Sequence, residues 1–184
     1  MASKSAFFVI APYRFGALSL LLALLSRSFA PAAAAAPADL PGAPLALSSR
    51  ANQMSCSLGA DGVYSIETAG GDPYVFVENF VSAHDPSKPY IVAFEYRVDA
   101  DPGKIAFYYA LGGSVKHIAA AAPPSEDWRW LFVDLSRDGQ GLGDQVEWFR
   151  IDFGLSAGLR FKVRNLRLIE ATPEARLRAA LGDK

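Results

Sequence analysis

Punctuation constrains this chain more than any other feature. From Leu45 onward, short runs of alternating apolar and polar residues are cut apart by AGGDP (69–73), HDPSKP (84–89), DADPG (99–103), LGGS (111–114), PPSED (123–127) and SRDGQGLGD (136–144). Gly, Pro and Asp at this density leave no room for long helices. The intervening runs read as strands: Met54–Leu58, Val63–Thr68, Tyr74–Val81, Tyr90–Val98, Lys104–Leu111, Val115–Ala121, Arg129–Leu135, Val146–Phe153 and Leu159–Ile169. Many short strands with turn signals between them mean an all-β sandwich or barrel.

Alternation assigns the faces, because successive strand side chains point to opposite sides. Phe149, Ile151 and Phe153 form one face of QVEWFRIDFG (145–154), and Trp148, Arg150 and Asp152 the other. Tyr90, Val92, Phe94 and Tyr96 oppose Glu95 and Arg97. Leu131, Val133 and Leu135 oppose Trp130, Phe132 and Asp134. Ile105, Phe107, Tyr109 and Leu111 oppose Ala106, Tyr108 and Ala110. The apolar sets supply the interior of two stacked sheets. The charged sets face outward.

The N-terminus has a different character. Lys4 and Arg14 precede the apolar run Gly16–Leu25, and small residues follow in PAAAAAPAD (31–39). These are the parts of a secretory signal peptide over residues 1–38, cleaved after Ala36-Pro37-Ala38, so the mature chain is exported, periplasmic or extracellular. The apolar run is shorter than the roughly 20 residues a membrane span needs, and no membrane association is expected once it is removed. PADLPGAP (37–44) marks residues 39–52 as a linker, followed by a domain over 53–170. Residues 171–184 form a charged tail whose PEARLRAAL (173–181) is helical in pattern and leads away from the sandwich.

Charge and cysteine exclude several functions. The signal carries Lys4, Arg14 and Arg27, so Lys plus Arg falls from 18 to 15 against 19 Asp plus Glu, a mature net charge of −4. That argues against nucleic acid as a partner, since such binders need a basic footprint. The run Arg160, Lys162, Arg164 and Arg167 reads as a solvated strand face. Cys56 is the single cysteine, a strand-edge or buried thiol, and no internal disulfide is available.

Catalysis finds no foothold. His84 and His117 are the two histidines, and H-E-x-x-H, C-x-x-C and G-x-S-x-G are absent. GQGLGD (139–144) is glycine-rich, yet a strand follows it where a phosphate-binding loop needs a helix. Glu126 and Asp127 are neighbours in a turn, with nothing to give two carboxylates separate roles. No cofactor is implied. A structural calcium stays open, with Asp61, Asp72, Asp138 and Asp144 as candidate oxygens, although their spacing matches no loop signature.

The succession KPYIVAFEYRV, IAFYYAL, EDWRWLFVDLS, VEWFRIDFG and LRFKVRNLRLIE resembles galactose-binding-like jelly-roll domains, similar to the carbohydrate-binding modules that stand beside secreted bacterial glycoside hydrolases. The resemblance covers about Val63 to Glu170. It implies an antiparallel β-sandwich of about eight strands. With strands numbered from Val63, one sheet runs 1-8-3-6 and the other 2-7-4-5.

Under that order QVEWFRIDFG is central in the second sheet. Its outward Trp148, Arg150 and Asp152 meet Tyr108, set among Ala106 and Ala110, with Phe76 and Glu78 across. The resemblance implies a carbohydrate site in which Trp148 and Tyr108 are platforms and Arg150, Asp152 and Glu78 read hydroxyls. Aromatic rings stack on sugar C–H faces, and charged forks fix orientation. The competing reading keeps Arg150, Asp152 and Glu78 as a surface network, with Trp148 covered by the segment Leu45–Leu58. In that case the domain is a structural or protein-interaction module, or the front end of a larger glycoside hydrolase.

Overall fold

A computed structural model describes residues 40–136 and 141–181. The expected signal peptide, and Asp138 among the candidate calcium ligands, lie outside the described residues. The strands in chain order are β1 (Ala43–Pro44), β2 (Leu47–Asn52), β3 (Met54–Leu58), β4 (Tyr64–Thr68), β5 (Tyr74–Val77), β6 (Tyr90–Val98), β7 (Lys104–Leu111), β8 (Ser114–Ala121), β9 (Ser125–Asp134), β10 (Val146–Phe153) and β11 (Arg160–Glu170). Helix α1 (Phe80–Ala83) separates β5 from β6, and α2 (Pro173–Leu181) follows β11.

The strands form two antiparallel sheets. The first is ordered β3-β4-β11-β6-β9, with β1 also paired to β11; the second is ordered β2-β5-β10-β7-β8. The eight strands from β4 to β11 stand in the order 1-8-3-6 and 2-7-4-5, so the chain is an antiparallel β-sandwich of jelly-roll type. Edge strands β2 and β3 add one strand to each sheet, beside β5 and β4 respectively.

The inward faces meet as alternation requires. Ile66, Val75, Phe94, Phe107, Phe149, Phe153, Phe161 and Val163 are buried in one continuous core. Phe149 stacks on Phe80 of α1 with centroids 4.1 Å apart and planes 4° from parallel. A bulge between Val146 and Trp148 resets the phase of β10. Val146 and Phe149, three residues apart, are thereby both fully buried, while Trp148, Arg150 and Asp152 keep the outer side.

Three expectations are corrected here. Residues 39–52 are not a plain linker: Leu45 and Leu47 are buried in the core, and β1 and β2 pair with β11 and β5. Consequently the Leu45–Leu58 segment does not cover Trp148; its backbone completes one edge of each sheet instead. The strand expected over Tyr74–Val81 stops at Val77. Just beyond, Asn79 uses its side chain to bind the incoming segment, Oδ1 accepting from the Ala46 N–H at 3.0 Å and Nδ2 donating to the Pro44 carbonyl at 2.7 Å, and Phe80 turns into the core.

The C-terminal helix is the third. Rather than leading away, α2 lies against the outer side of the first sheet. Ala175 and Ala179 pack on a small cluster of Leu40, Ile91, Ala93, Ile169 and Ala171, and Arg176 pairs with Asp134 at 3.0 Å. Strand β6 is therefore covered on both sides. Among the described residues, no helix is long and apolar enough to cross a membrane.

Candidate functional site

The outer side of the second sheet carries a cross-strand array of rings and charges. Antiparallel pairing sets Arg150 of β10 opposite Phe76 on β5 and Tyr108 on β7. One step along, Asp152 faces Tyr74 and Ala106, and Trp148 faces Ala110. Beyond β7, Tyr108 is opposite His117 of β8. Each residue is thus placed by ladder hydrogen bonds on rigid strands.

Arg150 is the hub. Its guanidinium carbon lies 3.9 Å from the ring centroid of Tyr74 and 4.6 Å from that of Tyr108. A cation so placed gains from the negative ring faces. Its Nη2 donates to Asp152 Oδ2 at 3.1 Å; Nε sits 3.0 Å from Oδ1 without hydrogen-bond alignment. Asp72, in the turn before β5, stands 3.9 Å away. The rings continue outward: Tyr74 meets Phe76 edge-on at 5.7 Å, and Phe76 meets Trp148 edge-on at 5.9 Å. Tyr108 stacks on His117 at 5.1 Å, and Arg50 of β2 lies 4.5 Å from the Phe76 centroid.

Asp152 is only 7 % exposed. Burial disfavours its charged form and pushes its pKa up to about 6; the Arg150 guanidinium opposes that rise, and Asp72 adds to it. Desolvation wins because the ion pair is made at the rim of a low-dielectric ring cluster. Near neutral pH the carboxylate is charged and engages Arg150. In mild acid it becomes neutral, and the guanidinium loses its nearest anion.

Four of the five residues expected at the site share this face: Trp148, Arg150, Asp152 and Tyr108. Glu78 stands apart. It falls beyond the end of β5, is exposed, and the carboxylates paired with Arg150 are those of Asp152 and Asp72.

Sequence reasoning missed Tyr74, Asp72, Arg50 and His117. The His117 pairing carried a signal, because Gly112 and Gly113, both at positive φ, make a two-residue hairpin that sets Leu111 against Ser114 and so Tyr108 against His117. Asp61 and Asp144 are in other turns from Asp72, and among the described residues no group of His, Cys, Asp and Glu converges as a metal cage.

The opposite face is built differently. On the outer side of the first sheet, Glu95 is 3 % exposed and accepts from Arg164 Nε at 2.7 Å, from Arg164 Nη2 at 3.1 Å and from Asn165 Nδ2 at 2.7 Å. Trp128 sits beside two guanidiniums, Arg164 at 4.1 Å and Arg97 at 4.5 Å. The Arg164–Glu95 ion pair closes this part of the face, with Glu95 buried within it.

No protein-family model and no curated protein matches the sequence. Solved structures that resemble the chain include a mutant of a family 29 carbohydrate binding module, 13% identical, with a TM-score of 0.49 over 72% of this chain and 85% of that one. Two more are mutants of a family 29 module, one complexed with mannohexaose (12% identical, TM-score 0.49, 72% of this chain and 85% of that chain) and one with cellulohexaose (13% identical, TM-score 0.49, 72% and 84%).

Proposed function

We propose that the chain is a non-catalytic, exported carbohydrate-binding domain that receives a polysaccharide or oligosaccharide on the outer face of the second sheet. The observation that carries this reading is Arg150 held between Tyr74 and Tyr108, on the same open face as Phe76 and Trp148. Half-buried rings next to a preorganised fork and a carboxylate suit a ligand with apolar C–H faces and directional hydroxyls. A face on regular strands also loses little order when a ligand docks. Trp148 and Tyr108 act as platforms, joined by Tyr74 and Phe76; Arg150 and Asp152 bind hydroxyls.

Export rests on the basic residues, apolar run and small-residue site of residues 1–38. Association with a glycoside hydrolase is the protein partner this reading implies. The experiment that tests the proposal is retardation of the full chain in native gels containing soluble polysaccharides, compared with Trp148→Ala.

A structural or protein-interaction role is the second reading. It is favoured by the saturation of Arg150, whose charge is already met by Asp152 and whose stacking is already met by two rings. A gel panel without retardation of the folded chain supports it.

A further inference from the structure

We propose a second ligand site on the outer side of the first sheet, specific for an anionic oligosaccharide whose carboxylate or sulfate group is held by Lys162 and Arg160. Strand pairing brings like charges together on this face. Lys162 of β11 is directly opposite Arg97 of β6, a like-charge cross-strand pair that opposes folding. Arg160, two residues before Lys162, lies on the same face. Among the described residues, ion pairs form at Lys88, Arg150, Arg164 and Arg176, and none forms at Arg97, Arg160 or Lys162. Glu67 is opposite Arg160 in the ladder without closing to a salt bridge, and the Asp99 carboxylate is taken by the Arg160 backbone N–H at 3.0 Å.

Two of these cations, Arg97 and Lys162, form no ion pair among the described residues and are held in place from below. Arg97 lies on Trp128, and Lys162 donates to the Ser65 hydroxyl at 2.7 Å. Two cavities flank these residues and share Arg160 and Lys162: one of ≈ 320 Å³ lined also by Ser55, Ser57 and Ser65, and one of ≈ 240 Å³ lined also by Arg97 and Ser125. A cationic ridge between two hydroxyl-lined hollows fits a chain of sugars with an anionic group at its centre. Charge supplies the attraction, and the serines supply hydrogen bonds to hydroxyls on either side. Glu67, Asp99 and Glu126 also line the two hollows and disfavour a continuous polyanion such as nucleic acid, whose charge repeats at every residue.

The site is separate from the Trp148 face, so each can fail alone. The test is calorimetric titration of the full chain with three probes: a xylohexaose bearing one glucuronic acid side group, a cellohexaose bearing one sulfate ester, and unmodified cellohexaose. One anionic probe should bind, with affinity that weakens as salt rises. Binding of the glucuronate-bearing probe identifies carboxylate as the recognised group, and binding of the sulfated probe identifies sulfate ester. Arg160→Gln with Lys162→Gln should weaken that binding at least tenfold, and Lys162→Gln alone by a smaller factor. Neither should lower the melting temperature, since each relieves repulsion, and Trp148→Ala should leave this binding intact. The proposal is overturned by absence of binding to both anionic probes, by equal affinity for cellohexaose, by full retention in the double variant, or by tighter binding of a single-stranded polynucleotide.

Discussion

Arg150 and Tyr74 are stacked across neighbouring strands, the guanidinium carbon 3.9 Å from the ring centroid. This contact joins β5 to β10 on the outer face, where a lysine would keep the charge and lose the planar fork. Arg150→Lys should therefore destabilise the chain by about 1–2 kcal/mol, the scale of a partly desolvated cation–π contact with its hydrogen bonds. Urea unfolding measures it. An unchanged midpoint would mean that the stack contributes nothing.

Asp152 gives a pH dependence of definite sign. Its folded-state pKa is pushed up to about 6 from an ordinary 3.8, so between those values the folded chain binds more protons than the unfolded one. Stability from this group is present below about pH 3.8 and is lost as pH rises through 6. Going from pH 7 to pH 4, the wild type should gain on the order of 2 kcal/mol relative to Asp152→Asn. Urea midpoints at both pH values check this, and parallel behaviour of the two proteins would contradict it.

Glu95 and Arg164 test the other face. Removing the guanidinium with Arg164→Ala leaves a carboxylate that is 3 % exposed with Asn165 as its one remaining donor. Loss of one partner from a buried ion pair costs about 3–5 kcal/mol. Adding Glu95→Gln to Arg164→Ala should restore part of it, because the uncompensated charge is gone. Thermal unfolding of the single and double variants distinguishes this from a dispensable surface pair.

The fold was legible because its signals are local. Turn residues cut the chain, and period-2 alternation in stretches such as Phe149, Ile151 and Phe153 named the core. What escaped depends on pairing. LSSRAN in β2 has few apolar residues and becomes a strand because β5 offers an open edge. The β10 bulge and the turn of chain at Asn79 depend on contacts far away in sequence.

The same division holds at the site. Trp148, Arg150 and Asp152 share a face by alternation alone. Tyr74 joins them through the register that sets it opposite Asp152, and Glu78 leaves them because β5 ends at Val77. Burial of Asp152 and of Glu95 was equally hidden, since a carboxylate on an outward position reads as solvated until its neighbours are known.

The most direct measurement is native affinity electrophoresis of the full chain through gels containing a panel of soluble polysaccharides, run beside Trp148→Ala and with folding of both proteins checked by circular dichroism. The account predicts that at least one polysaccharide retards the wild type and that Trp148→Ala migrates freely through that gel. Uniform migration of the folded wild type across the panel, or equal retardation of the two proteins, would contradict a carbohydrate site built on the Trp148 and Arg150 face.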